Sequence, residues 1–336
     1  MRGIAAVMVV IFHAHAYILP QKIEQNAQIF LGFNMGYAGV EIFFVISGFI
    51  MWHIHQMDIG LPHKVGRFIY KRATRIYPTY WIIMLSLAGL YFIFPNPEHD
   101  HLLSAKELFL SATLLPLPFS PILDVAWTLQ YEVFFYTLFA LLILNKNIGK
   151  FLLLGWGILC VGNLFINVQI FPFSFIFSAY NLLFLFGMGT AALIKHQKIR
   201  TPWICLICGV ILYLFIGMTE AYQFIDWYKP LRTIGYGLGA SLILMAEQIE
   251  FSTPLNVPKL FLLLGNASYS IYLVHTPFMS IAVALLEKLH LLHVVPSAVM
   301  LFSLIIGAII ASIIFYLLIE RNIMNFFNRR NKGATH

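Results

Sequence analysis

The strongest constraint on the fold is a series of apolar segments, each about 20 residues long, that recur from Gly3 to Leu318. An α-helix needs a segment of about this length to cross the hydrocarbon core of a membrane. Hydrophobic residues make up 60% of the chain and charged residues only 10%, whereas about 25% of the residues in an ordinary soluble domain are charged. The pattern excludes a soluble globule and predicts one all-α, polytopic membrane protein.

Charged residues and clusters of Pro and Asn divide this pattern into about ten predicted transmembrane helices. Their approximate bounds are 3–19, 36–55, 76–95, 128–144, 151–168, 175–194, 203–219, 231–247, 261–285 and 298–318. The ninth is long enough to be tilted or broken. If the N-terminus is cytoplasmic, 16 of the 21 Lys and Arg residues fall on the cytoplasmic side, as the positive-inside rule requires. We therefore expect both termini in the cytoplasm, a membrane domain over residues 1–322 and a basic cytoplasmic tail over 323–336.

The net charge of +7 would suggest nucleic acid if the basic residues formed one patch. They are scattered between apolar segments, so we expect contacts with membrane lipid and no nucleic-acid partner. The three cysteines, Cys160, Cys205 and Cys208, all lie inside apolar segments. The pair at 205 and 208 has no other soft ligand nearby in the sequence, so we expect packing residues and no metal site.

Ionisable side chains inside a membrane span are costly and usually functional. The predicted spans contain five: His13, His15, Glu41, Glu132 and His275. Counting residues from the span ends places all but His15 at similar depth. A histidine beside a carboxylate can act as a general base toward a hydroxyl. Packing remains the alternative for His15 and His275, and a structural ion pair the alternative for either glutamate.

Arginines form a second pattern. Arg2 and His13 are eleven residues apart, which is three helical turns plus about 20°, so a helix places them on one face about 16 Å apart. The basic segment 64–75 contains Arg72 and Arg75, whose spacing of three also gives a shared face, suited to bidentate binding of phosphates. The same segment could instead anchor the chain to anionic lipid, and both interpretations can hold together.

Five sequence blocks resemble the acyltransferase 3 family, and in particular its bacterial exopolysaccharide acetyltransferases. They are RGIAAVMVVIFHA at 2–14, GYAGVEIFFVISGFIM at 36–51, RATRIYPTYW at 72–81, WTLQYEVFFY at 127–136 and SYSIYLVHTP at 268–277. The blocks occur in the family's order, each at the expected span, and together they cover nearly the whole chain.

The resemblance implies an integral membrane enzyme that moves an acyl group, usually acetyl, from cytoplasmic acyl-CoA to a sugar hydroxyl. The family's essential arginine and histidine correspond to Arg2 and His13. Its further motif residues correspond to Arg72, Arg75, Trp127, Glu132, Ser268, Tyr269, Ser270 and His275. We expect transfer to occur within the membrane domain or its outer loops, among which 96–126 is the largest.

On this hypothesis Arg2, Arg72 and Arg75 bind the phosphates of acetyl-CoA, and His13 removes the proton of the acceptor hydroxyl while Glu132 orients its imidazole. The remaining substrate or oxyanion candidates are Glu41, Trp127, Ser268, Tyr272 and His275. An acyl-enzyme route through Ser47 or Ser270 is less favoured, because neither serine has an adjacent base in the sequence. The donor could also be another acyl-CoA, and no metal is expected.

Two other functions remain open. A transporter or flippase of lipid-linked sugars could use the intramembrane His and Glu residues as a proton relay, although the halves of the chain do not show the repeat symmetry typical of such proteins. A non-catalytic scaffold for polysaccharide assembly would leave the spacing of Arg2 and His13 unexplained. For the acyltransferase we expect the bacterial cytoplasmic (inner) membrane, with lipid, acyl-CoA and a polysaccharide or lipid-linked oligosaccharide as partners.

Overall fold

The computed structural model describes residues 1–23, 29–94, 103–249, 257–292 and 294–333. Within these ranges the chain is helical, with short connecting segments and no strand. The α-helices are α1 Arg2–His13, α2 Gly39–His55, α3 Val65–Ile93, α4 Ala105–Thr113, α5 Trp127–Leu144, α6 Lys146–Ile166, α7 Phe173–Ile176, α8 Ala179–His196, α9 Pro202–Ala221, α10 Lys229–Met245, α11 Lys259–Asn266, α12 Ser268–Lys288, α13 Ser297–Phe315 and α14 Arg321–Gly333.

The described residues include nine helices that are long and apolar enough to cross a membrane. These nine coincide with nine of the ten predicted spans, which confirms a polytopic, all-helical membrane protein. The eighth predicted span, 231–247, corresponds to α10, which is helical but only 17 residues long. Lys229 and Arg232 lie in its first turn. The side of the membrane on which the termini lie stays a prediction.

Three helix boundaries differ from the predicted spans or refine them. The basic segment 64–75 is not separate from the third span, because α3 begins at Val65 and continues to Ile93. The last span continues beyond 318 through π-helical turns into α14. The ninth span is broken at Ala267, between α11 and α12. Long Lys and Arg side chains can extend from a helix end to the membrane surface, so a basic helix can continue directly into an apolar one.

Small residues allow the central helices to approach closely, as is common between membrane helices. A Cβ atom on Gly187 of α8 would lie 1.9 Å from the carbonyl oxygen of Val45 in α2, and one on Gly48 would lie 2.0 Å from the carbonyl oxygen of Phe184. These distances are far shorter than any van der Waals contact. The α2–α8 pair therefore forms a tightly packed centre of the bundle.

Helix α1 packs against the same centre. A Cβ atom on Gly39, at the start of α2, would lie 2.4 Å from the carbonyl oxygen of Ala5 in α1. Ala5, Ala6, Val9 and Val10 of α1 are fully buried, and α1 also contacts α12. This packing places both ends of α1, with Arg2 and His13, next to cavities inside the bundle. By contrast, α6 exposes large apolar side chains such as Phe151 and Phe165, as expected of a helix that faces lipid.

Candidate active site

Two cavities lie between the helices, and α1 contributes to both. The cavity that contains Arg2, Arg72 and Arg75, here called the arginine cavity, has a volume of about 440 Å³. The cavity that contains His13, here called the histidine cavity, has a volume of about 1690 Å³. Val40 and Tyr272 line both. Other polar or aromatic lining residues are Ser47, Tyr70, Lys71, Glu132 and Tyr136 in the first, and Tyr37, Glu41, Asp124, Trp127, Glu220 and Arg232 in the second.

The arginine cavity has the character of an anion site. Counting only described residues, no carboxylate lies within 4 Å of Arg2, Arg72 or Arg75, and the buried Nε atoms of Arg2 and Arg72 have no hydrogen-bond partner. Arg72 and Arg75 of α3 both line this cavity. The Arg72 guanidinium lies over the Tyr136 ring, 5.7 Å from its centroid. The shared face predicted for Arg72 and Arg75 is therefore present on α3, and its donors can bind phosphate oxygens.

Glu132 also lies in the arginine cavity, which differs from the prediction that it orients His13. Its Oε1 atom accepts hydrogen bonds from Ser47 Oγ at 3.1 Å and from the Tyr136 hydroxyl. The difference follows from helix geometry. Trp127, five residues earlier on α5, lines the histidine cavity, and five residues correspond to a rotation of about 140°. Glu132 and His13 therefore line different cavities, although counting residues from the span ends predicts a similar depth for both.

The group that does contact His13 is His275. His13 Nδ1 lies 2.9 Å from the carbonyl oxygen of Val9, and His275 Nδ1 lies 3.0 Å from that of Ile271. If each Nδ1–H donates to its carbonyl, His275 Nε2 is an acceptor, and it lies 3.3 Å from His13 Nδ1. This assignment, which follows from the hydrogen-bond network, leaves a lone pair on Nε2 of His13. That atom is the one available to take a proton from a molecule in the histidine cavity.

Local structure at His13 is unusual. The α-helical part of the first span ends there, and the chain continues through π-helical turns over Ala14–Ile23. Such turns are rare and occur frequently at functional sites. Tyr17, in these turns, stacks on the His13 ring with a centroid distance of 5.7 Å. The imidazole is thus held by a backbone carbonyl, a second histidine and an aromatic ring.

Three other predicted site residues, Tyr272, Ser268 and Trp127, differ in how they lie relative to the two cavities. Tyr272 lies where the two cavities meet, but its hydroxyl donates to the carbonyl oxygen of Val125 at 3.1 Å and accepts from Thr128 Oγ1 at 2.9 Å. Its proton is therefore engaged and not directed at an oxyanion. Ser268 is buried at the start of α12 and lines neither cavity. Trp127 lines the histidine cavity.

Comparison with known proteins decides the family. The acyltransferase 3 family model, which describes an acyltransferase domain, matches residues 1–317. This chain belongs to the acyltransferase 3 family. It is an acyltransferase, and the resemblance seen in its five sequence blocks is confirmed.

Two relatives of this acyltransferase align over most of its length. The "Exopolysaccharide production protein ExoZ" of Rhizobium meliloti (strain 1021) is 29% identical over 312 residues, which cover 87% of this chain and 90% of the relative. The "Putative acetyltransferase ORF330" of Acidianus two-tailed virus is 26% identical over 290 residues, which cover 82% and 80%. No solved structure shows a significant match.

The acyltransferase has a polar cluster in the histidine cavity that the sequence did not reveal. Arg232 of α10 pairs with Glu220 of α9, and Glu220 also accepts hydrogen bonds from the hydroxyls of Tyr37 and Tyr236. The Arg232 guanidinium lies over the Tyr37 ring, 4.8 Å from its centroid. Glu220 and Arg232 lie at the adjoining ends of two apolar segments, and only their proximity in the folded chain identifies them as a pair.

Two serines considered for an acyl-enzyme have carboxylate neighbours in the fold. Ser47 donates to Glu132 at 3.1 Å, and Ser270 donates to the buried carboxylate of Glu320. Both partners come from distant parts of the sequence. His15 has other partners: its Nδ1–H donates to Asn34 Oδ1 at 2.9 Å, and its Nε2 accepts from the backbone N–H groups of Ile29 and Phe30. Both ring nitrogens of His15 are therefore engaged, which is compatible with the packing alternative.

Proposed function

We propose that this acyltransferase moves an acetyl group from acetyl-CoA to a hydroxyl of a cell-surface polysaccharide or of its lipid-linked precursor. The observation that carries the proposal is the pair of adjoining cavities. One contains three arginines with no carboxylate within 4 Å in the described part of the chain, and the other contains an available imidazole nitrogen. The names of the two relatives, which mention exopolysaccharide production and acetyltransferase activity, support the choice of acetyl group and acceptor.

The arginine cavity is the proposed donor site. Arg2, Arg72 and Arg75 bind the phosphates of CoA, and its pantetheine arm passes Val40 and Tyr272 to bring the thioester to His13. The positive-inside rule supports an opening toward the cytoplasm, where acetyl-CoA is available. We accordingly propose that both termini are cytoplasmic and that the protein resides in the bacterial inner membrane.

The proposed chemical step is direct transfer. His13 Nε2 removes the proton of the acceptor hydroxyl as its oxygen attacks the thioester carbonyl carbon. The tetrahedral intermediate then expels the CoA thiolate, which takes the proton back from His13. The new ester bond and free CoA thiol balance the broken thioester and hydroxyl bonds. His275 acts as a positioning residue, because its contact with Nδ1 favours the tautomer that has its lone pair on Nε2.

The first experiment is acetyl transfer in inverted membrane vesicles. Radiolabelled acetyl-CoA is supplied at the exposed cytoplasmic face, and label is followed into glycan for the wild type, His13→Ala and Arg2→Ala. We expect label in glycan from the wild type only, with all three proteins inserted at equal levels. Normal transfer by His13→Ala would refute the role of His13 as base.

The same vesicles separate the rival functions. A sugar lipid that changes leaflet in a protein-dependent way, without any label in glycan, would support the transporter.

Acid quenching during turnover tests the acyl-enzyme route, which the contact between Ser47 and Glu132 makes worth measuring. We expect no covalent label on the protein. Covalent label that appears on the wild type and is absent from Ser47→Ala would contradict direct transfer and support a two-step mechanism through an acyl-enzyme.

A further inference from the structure

Glu41 is a fully buried carboxyl group on the wall of the histidine cavity. It lies in the first turn of α2 and is 0% exposed. Within the described part of the chain, neither of its carboxyl oxygens accepts a hydrogen bond. Buried polar atoms almost always have partners, because leaving one unpaired is costly. A ligand in the cavity would supply the missing donors.

Arg232 supplies the complementary observation on the same wall. Its buried Nε atom has no hydrogen-bond partner among the described residues, although its Nη1 atom pairs with Glu220. No nitrogen of Arg232 lies within 4 Å of a Glu41 oxygen. The wall therefore presents two unpaired acceptors and one unpaired donor that do not satisfy each other.

A hydroxyl-bearing ligand fits this combination, because each hydroxyl both donates and accepts. The cavity lining carries acidic and basic side chains together, namely Glu41, Asp124, Glu220 and Glu287 on one hand and Lys229, Arg232 and Lys288 on the other. An anionic ligand would approach several carboxyl groups, and a cationic ligand would approach several cations. The mixture of charges thus favours a neutral molecule.

Aromatic rings and cavity size narrow the class further. Trp127 and Tyr180 both line the histidine cavity, and their ring centroids are 5.2 Å apart. Aromatic faces can pack against the apolar C–H face of a sugar ring. The volume of about 1690 Å³ exceeds the range of about 300–1000 Å³ that is usual for small-molecule sites, so more than one sugar ring can enter.

We propose that Glu41 and Arg232 form the acceptor subsite, in which they hydrogen-bond the hydroxyls of a neutral sugar and position it for His13. This inference rests on the proposed function and adds the class of acceptor and the residues that hold it. Glu41 is a binding residue in this assignment and is not required for donor binding.

The test compares Michaelis constants for donor and acceptor in purified protein in nanodiscs. The acceptor probes are neutral methyl hexopyranosides, with methyl glucuronide as the anionic comparison and acetyl-CoA as donor. We expect Glu41→Gln to raise the KM of the neutral glycosides by about 10- to 100-fold, the range for loss of a hydrogen bond to a charged group. The KM of acetyl-CoA should change less than twofold. Glu41→Asp should restore part of the acceptor affinity, because it keeps the carboxylate.

Two further measurements separate binding from a merely structural role. Without acceptor, Glu41→Gln should unfold at the same temperature as the wild type or at a higher one, because it removes an unpartnered buried carboxyl group. The matched control is Glu247→Gln, at an exposed position in the 3₁₀ turn that follows α10. It should leave all these constants unchanged.

Several results would overturn the acceptor subsite. For Glu41→Gln they are an unchanged KM for the glycosides, an equal rise in the KM of acetyl-CoA, or a large fall in unfolding temperature. For the wild type, the contrary result is a preference for methyl glucuronide over the neutral glycosides. Label that enters cellular glycan but no neutral glycoside would also exclude the proposed class. Failure of the wild type to transfer acetyl to any acceptor would instead refute the proposed function, so the two failures are distinguishable.

Discussion

The contact between His13 and His275 predicts a specific result in a double-mutant cycle. His13→Asn and His275→Asn are a matched pair, because an asparagine nitrogen can replace Nδ1–H toward the carbonyl of Val9 or Ile271 but provides nothing at the Nε2 position. Loss of a general base costs about 10²- to 10⁴-fold in rate, which is about 2.7 to 5.4 kcal/mol of activation free energy. We expect His13→Asn to lower kcat within this range.

The expected effect of His275→Asn is much smaller. It removes one contact between uncharged rings at 3.3 Å, and such a hydrogen bond contributes about 0.5 to 1.5 kcal/mol. This corresponds to a fall in kcat of about 2- to 12-fold. Because His275 touches the reaction only through His13, the double variant should be no slower than His13→Asn alone.

The assay is the initial rate of acetyl transfer from labelled acetyl-CoA, at saturating donor, by proteins matched for amount and unfolding temperature. Equal losses in the two single variants, with the fold intact, would show that His275 takes part directly. Independent losses that multiply in the double variant would refute the argument that His275 acts by positioning His13.

Three other changes test separate parts of the structure. Arg75→Ala should raise the KM of acetyl-CoA at least about tenfold, since it removes a charged donor to phosphate, and an unchanged donor KM would contradict the proposed role of the arginine cavity. Tyr272→Phe should lower kcat less than about tenfold, because its proton already goes to a backbone carbonyl; a loss of 10²- to 10³-fold, about that of an oxyanion donor, would show otherwise. Gly187→Ala should destabilise the protein by about 1 to 3 kcal/mol or more in detergent unfolding, because its Cβ would lie 1.9 Å from a backbone oxygen. The control Gly189→Ala, with nothing within 4 Å, should match or exceed wild-type stability, and equal effects of both would refute the packing argument.

The sequence by itself determined the membrane architecture and the family. A span of about 20 apolar residues has few alternatives to a transmembrane helix, so the order and approximate bounds of nine of the ten predicted spans followed from local composition. The spacing of Arg2 and His13, and of Arg72 and Arg75, placed each pair on one helix. Regular helical geometry was sufficient for these predictions, because both members of each pair belong to the same element.

Only the tertiary structure decided which side chains meet across helices. Depth along a span did not reveal that Glu132 turns to the arginine cavity while His275 contacts His13. The rotation of each helix about its axis is set by packing, here by close approaches at glycines such as Gly39 and Gly187. For the same reason Glu220 and Arg232, at the ends of two apolar segments, became a pair in the folded chain. Glu41, whose oxygens accept no hydrogen bond from the described residues, lines the same cavity. Sequence periodicity describes one helix at a time, whereas a membrane active site is built from the faces that several helices turn toward each other.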